Sequence, residues 1–133
     1  MKQTRVAIVG LGSAARIIHL PALRKIAEVQ LVGGYDPVAT SGNSAIHQYG
    51  SMDELLSAGQ PEILVIATPP SSHAELATMG LRAGCHIFCE KPLTNDLREA
   101  DALIEVAKRT QRHVVVNSEF PFMTIHSEAK RAM

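Results

Sequence analysis

Two glycines separated by one residue follow the first apolar run of the chain, residues 6–9. Gly10 permits a tight turn, Gly12 has no Cβ to keep a pyrophosphate from the backbone, and small Ala15 lets a following helix pack against the strand. That helix would present free N–H groups and the positive end of its dipole to the anion. The pattern indicates a phosphate cradle, but glycines at this spacing also mark ordinary turns. Two residues of the first helical turn are further candidates, Ser13 and Ala14.

A carboxylate stands at the end of the second apolar run, residues 29–35. Asp36 follows Ala15 at close to the separation of about 20 residues expected for the acid that holds an adenosine ribose. A turn-starting aspartate before Pro37 is the alternative. Residues 37–40 contain no arginine or lysine, which a ribose 2′-phosphate would need as a partner. Together these features favour a dinucleotide site that takes NAD rather than NADP.

More candidate side chains follow the third, fourth and fifth apolar runs, residues 62–67, 86–89 and 113–116. In open α/β sheets, ligands lie beyond the carboxyl ends of the strands. These side chains therefore converge on the edge that holds the glycines and Asp36, and this convergence is a stronger indication of a site than any single motif. The candidates are Thr68, Pro69 and His73 after the third run, Glu90 and Lys91 after the fourth, and Asn117 after the fifth.

The elements that position these groups alternate between strand and helix. Continuous apolar strands followed by helices indicate a parallel sheet covered on both faces, since a sheet with one wet face would alternate apolar and polar residues. The pattern predicts an α/β, doubly wound parallel sheet. A helix is expected at residues 13–20, broken or kinked by Pro21 and followed by a short second helix to about residue 27. Further helices are expected at 44–49 after a cap at 41–43, at 53–58, at 73–83, after a cap at Thr94 or Asn95, and from 125.

Structural roles are predicted for the histidine and cysteine side chains that lie away from the carboxyl edge of the sheet. His19, beside Pro21, could touch a ligand, but a single histidine on an apolar helix more often packs or caps, and that interpretation is favoured. Cys85 and Cys89 would lie about 13 Å apart along a strand, too far for a disulfide. Buried, reduced thiols are expected. No metal site is predicted, although zinc beside His86 is an alternative.

Composition and charge exclude two classes of partner. The 133 residues are 46% hydrophobic and carry 13 basic and 13 acidic side chains, a formal net charge of zero. Binding to nucleic acid or an anionic membrane would need a basic excess. No apolar run reaches 18 residues, a length that would suggest a membrane span, and no signal-type stretch precedes the first strand. We expect one soluble, cytoplasmic domain.

Four motifs together resemble the amino-terminal Rossmann domain of the Gfo/Idh/MocA family, which includes glucose–fructose oxidoreductase and inositol dehydrogenase. They are Gly10-Leu11-Gly12, Asp36-Pro37, the segment 67–73 and, most specifically, Glu90-Lys91-Pro92. The resemblance implies that the glycine loop holds the pyrophosphate of NAD, that Asp36 holds the adenosine ribose and that the Thr68 to His73 segment lines the cofactor. It also implies that Glu90 contacts the nicotinamide-side ribose and that Lys91 serves the substrate in hydride transfer. Asn117 matches an asparagine that often precedes an Arg-Phe pair in the family.

The resemblance further implies an oxidoreductase that transfers a hydride between the nicotinamide cofactor and a sugar, polyol or related hydroxy compound. Residues 1–122 would form the dinucleotide-binding domain, and residues 123–133 would begin a helix leading to a second domain absent from this chain. Since that domain supplies the substrate pocket and usually the oligomer interface, the chain alone is expected to be inactive. Glu119 replaces an arginine common in the family, which leaves a substrate contact there open. The alternative is a stand-alone module that binds NAD(H) without turnover.

Overall fold

The computed structural model describes residues 2–38, 46–118 and 123–132 of the chain. Its strands are β1 (Thr4–Val9), β2 (Val29–Tyr35), β3 (Ile63–Ile66), β4 (His86–Cys89) and β5 (Val114–Val116). They form one parallel sheet in the order β2-β1-β3-β4-β5. Each strand coincides with one of the apolar runs, so the predicted α/β fold with a parallel sheet is confirmed.

The helices connect successive strands. They are a π-helical segment Ala15–His19 that continues into α1 (Leu20–Leu23), α2 (Met52–Gly59), a 3₁₀ turn Pro70–Ser72 before α3 (His73–Arg82), α4 (Leu97–Thr110) and α5 (Thr124–Ala132). The cap of α4 is Asp96, whose carboxylate accepts from the Arg98 N–H at 2.6 Å. The predicted caps are wrong because Asp96 directly precedes the helix and satisfies one of its free N–H groups, while the Thr94 hydroxyl donates to the Asp96 carbonyl.

The first helix runs through Pro21 instead of breaking there. Before the proline the backbone widens, and the Leu20 N–H bonds to the Ala15 carbonyl five residues back. A wider turn relieves the clash of a proline ring with the preceding carbonyl, and the ring itself stands in the first turn of α1. The helix ends at Leu23, short of the predicted end at residue 27.

The segment before α2 is extended where a helix was predicted. Gln48 forms a parallel bridge to Gly34 on the outer edge of β2. The Gly34 N–H donates to the His47 carbonyl at 2.8 Å, and the Tyr49 N–H donates to the Gly34 carbonyl at 2.9 Å. The backbone groups on the open edge of β2 thus gain hydrogen-bond partners, and a helix at residues 46–49 would leave these groups unpaired. The predicted cap at 41–43 lies outside the described residues.

The sheet separates two apolar cores, which explains why its strands are continuous apolar runs. Ala7 and Val9 of β1 pack with the helices α2, α3 and α4 on one face. Val6 and Ile8 pack with the glycine loop and the first helix on the other. Cover on this second face is incomplete, because Val115 of β5 remains half exposed.

The two cysteines are buried free thiols, as predicted. Burial raises the pKa of Cys85 to about 11 and the pKa of Cys89 to about 12, so neither thiol is activated as a nucleophile. Among the described residues, no group of three or more His, Cys, Asp and Glu side chains could hold a metal ion. No helix in this part of the chain is long and apolar enough to cross a membrane.

Candidate cofactor site

The glycine loop follows β1 and turns into the first helix. Gly10 has a φ of +86°, and a Cβ on it would lie 2.6 Å from the Ala67 carbonyl oxygen, so only glycine fits this turn. Gly12 is exposed, and a Cβ on it would meet no protein atom within 4 Å. The helix begins with a hydrogen bond from the Arg16 N–H to the Gly12 carbonyl at 3.1 Å. The N–H groups of the preceding turn, including Ser13 and Ala14, have no earlier helical carbonyl to bond.

Asp36 joins the end of β2 to the glycine loop. Its Oδ2 accepts from the Leu11 N–H at 2.7 Å, and its Oδ1 accepts from the Val38 N–H at 2.8 Å. The second contact is the turn-starting bond that was the alternative for this residue, and the first is a longer-range contact. The turn contact does not compete with ligand binding, because a carboxylate accepts about four hydrogen bonds and these two leave further lone pairs for ligand hydroxyls.

A cavity of about 560 Å³ opens beyond the carboxyl ends of β1, β2 and β3. Predicted cofactor residues on its lining are Gly10, Gly12, Asp36, Thr68 and Pro69. Val38, Leu76 and Met79 add apolar walls. The cavity thus combines a backbone loop that tolerates close approach, a carboxylate and an apolar surface, which together suit an adenosine diphosphate moiety.

His73 holds two loops together and is fully buried. Its Nε2 lies 2.8 Å from the Thr68 carbonyl oxygen, and its Nδ1 lies 2.8 Å from the Pro92 carbonyl oxygen. The Ser72 hydroxyl lies 2.7 Å from the Thr68 hydroxyl oxygen and 2.9 Å from the Pro69 carbonyl oxygen. The structure thus places His73 behind the cavity, where it connects the loop after β3 to the loop after β4.

Glu90 is the centre of a second group of polar side chains, at the end of β4. Its Oε1 accepts from His19 Nε2 at 2.7 Å and from Asn117 Nδ2 at 2.8 Å. Burial alone would raise the pKa of Glu90, but hydrogen bonds from Asn117, His19 and the Lys91 backbone N–H outweigh it and place the pKa below its usual range. The carboxylate is therefore ionised and fixed at neutral pH.

Lys91 follows Glu90 and is exposed. Within residues 2–38, 46–118 and 123–132, its ammonium group makes no hydrogen bond or ion pair. The structure brings Glu90 and Asn117 into contact, and Lys91 stands beside them with its charge directed to no neighbouring carboxylate. Such an ammonium group is available to a ligand.

His19 is the site residue for which sequence reasoning favoured only a packing role. The residue is 6% exposed, and its ring packs edge-on against Phe88, with ring centroids 6.0 Å apart. It is therefore buried as a packed residue would be, yet it also bonds Glu90. No local signal could have shown this contact, because the two residues meet only when the first helix crosses the sheet.

A family model described as the oxidoreductase family, NAD-binding Rossmann fold, matches residues 4–118. The chain belongs to the Gfo/Idh/MocA oxidoreductase family. Its relatives include the glucose-6-phosphate 3-dehydrogenase of Bacillus subtilis, 34% identical over 79% of this chain and 31% of the relative. Another is the inositol 2-dehydrogenase of Rhizobium meliloti, 32% identical over 80% of this chain and 34% of the relative.

Solved structures of other proteins share the fold. The UDP-N-acetylglucosamine 3-dehydrogenase of Acidithiobacillus ferrooxidans matches with a TM-score of 0.87 and 28% identity, over 99% of this chain and 44% of that one. The WlbA dehydrogenase of Chromobacterium violaceum matches in fold with a TM-score of 0.91 at 24% identity, over 100% of this chain and 40% of that one. The chain spans about a third of the length of the curated relatives it matches.

Proposed function

We propose that these residues form the NAD(H)-binding domain of a dehydrogenase that oxidises a secondary hydroxyl of a sugar, polyol or related compound. The observation that carries the proposal is the open space over Gly12, inside a cavity that Asp36 and Thr68 also line. A dinucleotide fits there because the backbone can approach a pyrophosphate closely and free N–H groups border it. The substrate class is supported by relatives named as 3-dehydrogenases of sugars and a 2-dehydrogenase of inositol.

Each candidate residue has a distinct task in this proposal. The turn from Gly10 to Ala14 would hold the pyrophosphate, and Asp36 would accept hydrogen bonds from the adenosine ribose. Thr68 and Pro69 would line the cofactor, and His73 would fix their loop from behind. The bound nicotinamide supplies the hydride acceptor or donor, while the protein supplies position and electrostatics.

The nicotinamide half would meet the polar group around Glu90. The ionised carboxylate would accept a hydrogen bond from the nicotinamide-side ribose, with Asn117 fixing its orientation. Lys91 would then face the reacting hydroxyl. Its ammonium group would stabilise the developing alkoxide, or its deprotonated amine would accept the hydroxyl proton, as the carbon–hydrogen bond breaks. A cytoplasmic location fits a nicotinamide-dependent enzyme of this kind and remains a prediction.

We expect the domain to prefer NADH over NADPH. Asp36 can bond both hydroxyls of the ribose but repels a 2′-phosphate, and Pro37 and Val38 offer no positive charge. A charge-assisted hydrogen bond contributes about 1.5–3 kcal/mol, so the preference should be about ten- to hundredfold. Fluorescence titration with each reduced cofactor measures it. Asp36→Asn is the matched variant and should reduce the preference for NADH over NADPH. Equal or tighter binding of NADPH by the wild-type chain would contradict the assignment of Asp36 to the adenosine ribose.

We expect the 133-residue chain to bind NAD without turning over substrate. Without a wall to hold the hydroxyl at the nicotinamide, the reaction loses a positioning contribution of about 7–11 kcal/mol. The measurement is NADH production by the purified chain with myo-inositol and simple sugars, alongside a binding titration on the same sample. Binding without turnover is also what a stand-alone NAD(H) module would show. An encoding reading frame long enough for a second domain would favour the enzyme. Clear activity of this chain alone would show that no second domain is needed to hold the substrate.

A further inference from the structure

His19 occupies the point where the first helix changes its winding. The π-helical segment ends at this residue. The Leu20 N–H bonds to the Ala15 carbonyl, five residues back, rather than to the carbonyl four residues back as in an α-helix. One extra residue in a helical turn rotates every later side chain around the helix axis. π-Helical turns of this kind are frequent at functional sites. Here the widened turn brings the imidazole under the sheet edge, with Nε2 2.7 Å from Glu90 Oε1.

The contact with His19 has a defined effect on the carboxyl group of Glu90. His19 and Asn117 both donate to the same oxygen, Oε1, from the first helix and from the end of β5. A carboxylate only accepts hydrogen bonds, so Nε2 of His19 carries a proton in this contact. Two donors on one oxygen fix the plane of the carboxyl group and leave lone pairs of Oε2 for a ligand hydroxyl. His19 is buried, so it would act on a ligand through Glu90 rather than by direct contact.

We propose that His19 is a positioning residue that fixes Glu90 for the nicotinamide-side ribose of the cofactor. The inference rests on the proposed function, because it assigns Glu90 to that ribose. The same helix begins at the glycine loop, so one rigid element would align the pyrophosphate at its start and the carboxylate beside its π-helical turn. His19 would therefore contribute to the nicotinamide half of the site and leave the adenosine half unaffected.

This division between the two halves of the cofactor separates a positioning role from a merely structural one. If His19 only packs, its loss would weaken the fold and with it the binding of every ligand. If His19 positions Glu90, its loss would weaken the binding of only those ligands that reach Glu90. ADP carries the adenosine and the pyrophosphate but no nicotinamide ribose, so NAD and ADP are the probes that distinguish the two roles.

The experiment titrates the chain with NAD and with ADP by calorimetry, in the wild type, His19→Ala and His19→Gln. We expect His19→Ala to weaken NAD binding about tenfold, the effect of an impaired hydrogen bond to a charged group, and to leave ADP binding within about twofold. His19→Gln should restore most of the NAD affinity, because its amide N–H can donate from nearly the position of Nε2. His113→Ala is the matched control: this exposed histidine lines the same apolar cavity as His19 but makes no contact with Glu90.

Unchanged NAD affinity in His19→Ala would overturn the proposal, as would an equal loss of NAD and ADP affinity. Absence of rescue in a folded His19→Gln would overturn it too. If His19→Ala does not fold, His19→Phe replaces it, since a phenyl ring keeps the packing against Phe88 and lacks the donor. A wild-type chain that binds neither probe would refute the proposed function itself, whereas binding of both probes with no selective loss would refute only the role of His19.

Discussion

Gly12→Val is expected to remove NAD binding while leaving the domain folded. A Cβ at Gly12 meets no protein atom within 4 Å, so the side chain projects into the cavity and not into the core. An exposed substitution of this kind changes the free energy of unfolding by about 0.5 kcal/mol or less. The same side chain would occupy the space that a pyrophosphate needs next to the backbone. Loss of two or more charge-assisted hydrogen bonds should weaken binding by a hundredfold or more, roughly.

The neighbouring glycine provides the contrasting variant. Gly10→Ala places a Cβ 2.6 Å from the Ala67 carbonyl oxygen at a φ of +86°, so it should destabilise the fold by about 1–3 kcal/mol. Thermal unfolding and an NADH titration on both variants separate the two effects. A Gly12→Val protein that unfolds normally and still binds NADH like the wild type would show that the pyrophosphate does not lie on this loop.

The parts of the molecule that sequence predicted well depend on local rules. The strands follow from continuous apolar runs, and the carboxyl-edge position of Gly12, Asp36 and Glu90 follows from the parallel order of those strands. Parallel topology brings strand ends together whatever the intervening helices do. Predictions that used this rule needed no knowledge of individual contacts.

The predictions that were wrong involve competition between local preference and a distant partner. Residues 46–49 have a weak helical pattern, but the edge of β2 offers them backbone hydrogen bonds at Gly34. Pro21 is a strong breaker in isolation, yet the π-helical turn before it absorbs the ring. In both places the deciding group lies in another element or in an unusual turn, which periodicity does not report.

His73 and His19 show the same limit at the site. A histidine in the Thr68 to His73 segment was expected to line the cofactor, whereas the structure places it behind the loop, between two carbonyl oxygens. His19 was expected to pack, and it packs while donating to Glu90. Its partner is distant in sequence, and only the crossing of the first helix over the sheet brings them together. Residue type alone therefore predicted the roles of these two histidines less well than it predicted the strands.

Lys91→Ala is expected to reduce turnover by about a hundredfold or more while changing NAD affinity only slightly. The lysine is exposed at the end of β4 and makes no ion pair with the described residues, so its replacement should not disturb the fold. In the proposed site its ammonium group would stabilise the developing alkoxide by donating a hydrogen bond, or its deprotonated amine would take the hydroxyl proton. General acid–base help of this kind contributes about 10²–10⁴-fold to the rate. Binding of the cofactor depends instead on the glycine loop, Asp36 and Glu90.

The measurement is kcat and KM of a protein or reconstituted complex that carries this domain together with a substrate-binding domain, with NAD titrated separately. Lys108→Ala is the matched control, because Lys108 is an exposed lysine on α4 that pairs with Glu105 on the surface. Such surface pairs contribute about 0–1 kcal/mol to stability, so kcat should not change there. Methylamine added to the Lys91→Ala enzyme should restore part of the rate if a missing amine is the cause. An unchanged kcat in Lys91→Ala would remove the catalytic assignment and leave the Glu90-Lys91-Pro92 motif with a role in cofactor binding alone.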